Sequence, residues 1–423
     1  MRVFRTLFVS LLLVLCLLGL GLIVRERASL SAQPPAVSEA PEATPEPTPP
    51  PTPEPTPEPT PEPQAEIVPV TASYRGNPVP VLTDGDYCSA KNFMPSEPML
   101  ITAEREISAL YIQWDYTPAP WSLRCGDQVL DAGLYGFRHE YIVLPGPCRE
   151  LEMTLPGGAE PWIAEICGLS AGARPDWVQE WETPWDQADL LVFPTHSDDE
   201  FIFLGGVIPY YVDRGKRVQA AYVVRHNGGR YHEMLDSLWA AGVTHYPITS
   251  NKLDVYQNTL GGAMNYYNRN YMTSYMIEQI RRFRPQVVVG QAEDGDSGHI
   301  VHVFGVICLK DAVEQAGDAA FAPESAELYG VWDPPKTYLH LYGQAEKMVS
   351  LDFDAPLDSF GGLSAFDAAD RAFSFCVSQY EMGKYAVYRQ DSPHDASKFG
   401  LYRSTVGEDS ALDDLFENLP ARD

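Results

Sequence analysis

The chain has 423 residues, 45% of them hydrophobic and 11% aromatic, enough for two folded domains and against a largely disordered protein. Lys and Arg number 30 against 58 Asp and Glu, a net charge of −28. A surface of that sign repels phosphate backbones and anionic headgroups, which argues against nucleic acid and leaves membrane contact to an apolar anchor.

An anchor of that kind opens the chain. Arg2 and Arg5 precede an apolar run from Leu7 to Val24, about 27 Å long as a helix and close to the thickness of a bilayer core. The run exceeds a signal-peptide core. Residues 1–28 therefore read as an uncleaved signal anchor in the cell membrane, with cleavage near Ser31-Ala32 and secretion as the alternative. Arg25 and Arg27 balance Arg2 and Arg5, so the charge bias leaves the orientation open. Residues 29–64 are proline-rich and settle into Thr-Pro-Glu-Pro units. Proline fixes φ and removes the donor, so this is an extended polyproline II stalk of roughly 90 Å. Anchor and stalk together suit a chain whose later domains stand outside the cytoplasm.

Residues 65–175 read as an all-β jelly-roll sandwich. Ser108–Trp114, Glu140–Leu144 and Glu150–Leu155 have strand character, and Gly126-Asp127, Pro145-Gly146 and Pro156-Gly157-Gly158 supply turns. Cys88, Cys125, Cys148 and Cys167 fall here and allow three pairings between which the sequence does not choose. Trp114, Tyr116, Trp121 and Tyr135 are candidates for stacking on a sugar, although core packing explains each as well. The turn Leu82-Thr83-Asp84-Gly85-Asp86-Tyr87 resembles one in galactose-binding-like (discoidin) modules.

From Asp176 the period changes, and residues 176–423 read as one α/β domain. Apolar strands are expected at Asp189–Pro194, Val218–Val224 and Gln286–Val289, with helices at Phe201–Arg214, Arg230–Ala241 and Ser274–Phe283. That alternation predicts a Rossmann-like, mostly parallel sheet with helices on both faces and ligands at the carboxyl ends of its strands. Two motifs fall at such ends. Thr195-His196-Ser197-Asp198-Asp199-Glu200 follows the first strand, and Gly298-His299-Ile300-Val301-His302 follows the third. His196 and Asp199, three apart on a helical turn, share a face and can reach one metal ion, while Asp198 stays free for proton work. Two further imidazoles three apart complete a donor set of the catalytic rather than the structural kind, with a position left open.

The two motifs resemble those of the PIG-L/LmbE-like zinc-dependent N-deacetylases, whose opening pattern is (Ala/Thr)-His-Pro-Asp-Asp-Glu and whose closing pattern is Gly-His-Pro-Asp-His. The resemblance runs from about Asp189 to Leu309, with Arg230, Glu233, Leu238 and Ala241-Gly242-Val243 fitting the intervening helix and weaker echoes near Lys336–Leu341 and Gln379. It implies Zn2+ held by His196, Asp199 and His302, with Asp198 as the base that activates a zinc-bound water. His299 would stabilise the oxyanion or protonate the leaving amine. The implied substrate is an N-acetylated sugar or glycan. Ser197 departs from the pattern at its proline, and Ile300-Val301 at Pro-Asp, which removes an acidic group that could support the neighbouring histidine.

Around the motifs, Arg225, His226 and Asp254 are candidates for contacts to sugar hydroxyls, and His232 is a further edge candidate. His139, His245, His340 and His394 read as packing or surface residues, and Gly205-Gly206 as a close approach of the first helix to the sheet. A rival reading is a surface carbohydrate-binding protein whose catalytic-like domain is inactive. A third keeps the zinc hydrolase with another amide as substrate.

Overall fold

The computed structural model describes residues 62–94, 97–155, 160–345 and 347–422. The expected anchor, nearly all of the stalk and the Pro156-Gly157-Gly158 turn lie outside these. Among the described residues no helix is long and apolar enough to cross a membrane.

The first half is antiparallel β throughout. Its nine strands follow the central order Ile67–Val68, Trp162–Leu169, Met99–Trp114, His139–Thr154, Trp121–Cys125, Gln128–Ala132. Alternation does the sorting. Leu110, Ile112 and Trp114 enter the main core with Leu123, Leu151 and Met153, while Ala109 and Tyr111 pack on the other face with Leu169 and Val178.

The strand expected to end at Leu144 instead runs on to Thr154. The turn expected at Pro145-Gly146 is a bulge, since partners slip between Ile107↔Cys148 and Ala109↔Val143. Proline has no N–H to give a ladder, and a bulge asks for none. Gly126-Asp127 does turn, joining Trp121–Cys125 to Gln128–Ala132, with Gly126 at φ +58°. Cys125 pairs with Cys148 across neighbouring strands, leaving Cys88 and Cys167 as thiols. Trp114 and Trp121 are core residues, both donating their indole N–H to Glu140 Oε2; they offer no sugar-stacking face.

The second half is a seven-stranded sheet in the order Ile248–Thr249, Val218–Tyr222, Leu190–Phe193, Val287–Gly290, Lys336–His340, Lys398–Ser404, Met348–Ser350. The first five strands are parallel, and Lys398–Ser404 runs antiparallel to both of its neighbours. Leu190 and Val192 face one core, with the helices Gly229–Ala240 and Ala365–Phe373; Leu191 and Phe193 face the other, with Arg269–Phe283 and Ile300–Gln315. Strands buried on both faces explain the unbroken apolar runs.

The helix expected over Phe201–Arg214 is two pieces, Asp199–Ile202 and Val207–Asp213, because Gly205 turns the chain at φ +54°. Gly205-Gly206 is a close approach, but to Ala396 and Ala365 rather than to the sheet: added Cβ atoms would lie 2.7 and 2.6 Å from their methyls. From Leu190–Phe193 the chain winds outward through Val218–Tyr222 to Ile248–Thr249, then returns to Val287–Gly290 on the opposite side of the first strand. The order reverses between Leu190–Phe193 and Val287–Gly290, which is where open parallel sheets leave a crevice for ligands.

Candidate metal centre and active site

Both motifs open into that crevice. The first strand ends at Phe193, and Asp198 takes φ +145° with a side chain, a strained backbone of the kind that persists where the surroundings enforce it. Glu200, fully buried, is what enforces it. Its Oε2 accepts the Asp198 N–H at 2.9 Å, and its Oε1 accepts the Tyr222 hydroxyl at 2.7 Å. Burial pushes the Glu200 carboxyl up to about 7.

Three donor atoms meet. His196 Nδ1 and His302 Nε2 are 3.0 Å apart, and Asp199 Oδ2 lies 3.1 Å from each. Asp199 Oδ2 also accepts the His196 backbone N–H at 2.8 Å, which locks the carboxylate in place. Burial alone would lower the His196 imidazole, but hydrogen bonds to Asp199 and Asp254 push it up to about 10. Burial would raise Asp199, yet His302 and His196 hold it well below the usual carboxylate range. A cation shared by the three groups is therefore what the arrangement favours.

His299 stands beside them, its ring 5.0 Å from His196 and 4.6 Å from His302. One nitrogen from each of the three imidazoles falls within 4.8 Å of the others, but the tight triangle is formed with Asp199. His299 Nδ1 is buried with no hydrogen-bond partner, and burial followed by the two imidazoles pulls the ring down to about 4. His302 is held from behind. Gln291 accepts the Thr195 N–H at 3.0 Å and presents Nε2 to His302 Nδ1 at 3.0 Å, and Gly295 O lies 3.2 Å from the same nitrogen. Asp296 stands 4.0 Å from His302 and bonds His340 at 2.5 Å. His340, expected to be a packing or surface residue, is buried and braces the acid behind a site imidazole.

Asp198 is buried, with Oδ2 held by Arg230 Nη2 at 3.1 Å. Burial and then Asp199 raise its carboxyl well above the usual range, and Arg230 opposes them. These groups line one cavity of about 140 Å3, together with Asp254, Ser297, Gln379 and Tyr385.

The remaining expectations divide. Asp254 lies in the cavity, its Oδ1 3.5 Å from His196 Nε2. His226 sits just behind, 3.8 Å from Asp254 and 3.5 Å from the Ser197 N–H. Arg225 is turned away onto Asn227 Oδ1 at 2.5 Å and Asn251 O at 3.4 Å, outside the cavity lining. His232 is fully buried against His139, 2.8 Å away, between the two halves of the chain. Arg230 and Tyr385 were not read as site residues from sequence. Arg230 had a signal, since it opens a helix just past the second strand; Tyr385 had none, because nothing local places that loop over the crevice.

No family model matches the chain. Among curated proteins it is similar to 1D-myo-inositol 2-acetamido-2-deoxy-alpha-D-glucopyranoside deacetylase 1 of Catenulispora acidiphila, 26% identical over 181 residues, covering 35% of this chain and 54% of that protein. It is similar also to the protein of that name, without a number, from Acidothermus cellulolyticus, 28% identical over 188 residues, covering 34% of this chain and 61% of the other. The chain thus spans between half and two thirds of the length of these relatives. Among solved structures it is similar to the N,N'-diacetylchitobiose deacetylase of Pyrococcus horikoshii at TM-score 0.35 and 16% identity, covering 47% of this chain and 74% of that one.

Proposed function

We propose that the chain is a metal-dependent N-deacetylase of PIG-L/LmbE-like type, acting on an N-acetylglucosamine-type sugar within a glycan or glycoconjugate. The observation that carries the reading is the triangle of His196 Nδ1, Asp199 Oδ2 and His302 Nε2 with Asp198 in the same cavity. The similarity to proteins named as deacetylases of a 2-acetamido sugar supports it.

His196, Asp199 and His302 would hold the ion, and two imidazoles with one carboxylate suit zinc. When bound, such an ion supplies Lewis acidity, polarising the amide carbonyl and acidifying a water. The chain's own groups do the rest. Asp198, in its ionised form and oriented by Arg230, takes a proton from the attacking water and passes it to the departing nitrogen. Acetate and a free amine result. His299, neutral and with a buried nitrogen lacking a partner, donates a hydrogen bond to the oxygen on which charge develops. Asp254 stands on the cavity wall to accept from a sugar hydroxyl. The strained backbone at Asp198 keeps the base aimed without reorganisation during the reaction.

The jelly-roll character of the first half, the domain limits near residue 175 and an extracytoplasmic place on a membrane anchor belong to the same proposal and rest on the sequence reading. The test is acetate release by the full chain from a panel of N-acetylglucosamine glycans beside other N-acyl amides. Release should vanish with a chelator and return with zinc. A zinc-loaded chain that releases acetate from no N-acetyl amino sugar contradicts the reading.

A further inference from the structure

Away from the metal centre, two larger cavities adjoin on the flank where the halves meet. One is of about 440 Å3 and the other of about 410 Å3, and they share Tyr111, Gln113 and Trp177. Each falls in the ~300–1,000 Å3 range of small-ligand sites. Trp177 is 47% exposed and stands nearly perpendicular to the buried Tyr111 ring, centroids 5.8 Å apart. An indole left half in solvent and braced by a second aromatic is a platform for the C–H face of a sugar ring, not a core residue.

The charge of the walls selects among sugars. Asp84 and Glu165 line one cavity and Asp176 and Asp236 the other, against the single cation Arg371. The two inner acids are fixed. Glu165 Oε2 accepts the Gly85 N–H at 3.1 Å, and Asp236 Oδ1 accepts from Gln179 Nε2 at 2.5 Å. Burial, more than any neighbour, pushes each up to about 7, so a cation brought against either acid would relieve the cost of holding it ionised. Anionic glycans are repelled, and an acetamide offers these carboxylates only a weak partner. An ammonium offers charge-assisted hydrogen bonds.

We propose that this groove binds a cationic amino-sugar unit of a glycan, stacked on Trp177 with its free amine against Glu165, which lines the same cavity. The inference rests on the deacetylase reading in one respect: that reaction generates such units. The groove would then hold a deacetylated stretch of chain while the metal centre works elsewhere.

The experiment uses the full chain carrying Asp198→Asn, so that no ligand is consumed, titrated calorimetrically with a glucosamine tetramer and with an N-acetylglucosamine tetramer. The glucosamine tetramer should bind at least tenfold tighter. Adding Trp177→Ala should weaken it about tenfold, and Glu165→Gln should weaken it with little change for the acetylated tetramer. In the otherwise unaltered chain, Trp177→Ala should leave acetate release from a single N-acetylglucosamine unit as it was, which also reports that the variant is folded. Equal affinity for the two tetramers, or glucosamine binding untouched by both groove variants, overturns the proposal. Groove binding without acetate release by the unaltered chain would sink the deacetylase reading and leave the groove standing.

Discussion

Two pairs of buried imidazoles lie in this molecule, and their difference explains where chemistry can occur. His196 and His302 approach to 3.0 Å; His139 and His232 approach to 2.8 Å. By distance alone the second pair is the better metal clip. The partners differ. Asp199 Oδ2 stands 3.1 Å from both members of the first pair, beside a cavity. The second pair is met by the Gln179 and Gln113 amides and the Tyr111 hydroxyl, while Asp236 stands off at 3.9 Å. Burial pulls His139 well below its ordinary range and His232 down to about 3, whereas carboxylates carry His196 up to about 10. In the proposed reading the first pair holds a cation, and the second is a neutral hydrogen-bonded rivet between the halves. Carboxylates and an opening, rather than proximity, make the site.

The sharpest way to break this contrast is to exchange the consequences. His302→Ala should abolish acetate release, whereas His232→Gln should retain it; equal loss in both would erase the distinction. Next in size, Asp198→Asn should lower turnover by ~10²–10⁴-fold, the range of a lost acid–base group, with the bound metal retained. Asp198 touches none of the three convergent donor atoms, so loss of metal in that variant would show that the base has been misassigned.

Smaller again, Gln291→Leu should weaken metal binding by ~10–100-fold, as expected for a group that orients a ligand. Competition with a chromogenic chelator would read this, and unchanged affinity would remove Gln291 from behind His302.

The rivet has its own signature in stability. His232 has its folded pKa depressed to about 3, so between its unfolded value near 6.5 and that point the unfolded chain takes up a proton that the folded chain refuses. Stability from the neutral ring is therefore complete above about pH 7 and falls as the pH drops, by ~2 kcal/mol for this group between pH 7 and pH 5. Denaturant unfolding at the two pH values should show a smaller loss in His232→Gln than in the unaltered chain. The same loss in both would mean that His232 is not buried neutral.

Much of the α/β half was legible because its information is local. Apolar runs such as Asp-Leu-Leu-Val-Phe mark strands buried on both faces, and the segments just past such strand ends border the crevice, so the histidines and acids they carry start out near it. For that reason Asp198, Asp199, His196, His299 and His302 could be read together, and the cavity contains all five. What was not legible depends on partners distant in sequence. Arg225 and His226 are adjacent on the chain, yet Arg225 turns away, held by its near neighbour Asn227 and by Asn251 O in a loop 26 residues on. His340 lies 44 residues from Asp296, and no pattern announces their bond. In the β half the bulge through Pro145-Gly146 looked like a turn because proline and glycine mark both. Trp177 sits in a connection without periodicity, so its platform shows only once Tyr111 is beside it.

The most direct test of the account is metal stoichiometry, measured by elemental analysis after dialysis against dilute zinc, in the unaltered chain, His302→Ala, Asp199→Ala and His232→Gln. The account predicts one tightly held zinc in the unaltered chain and in His232→Gln, and none in the other two. Zinc retained in His302→Ala and Asp199→Ala, or lost from His232→Gln alone, would contradict it.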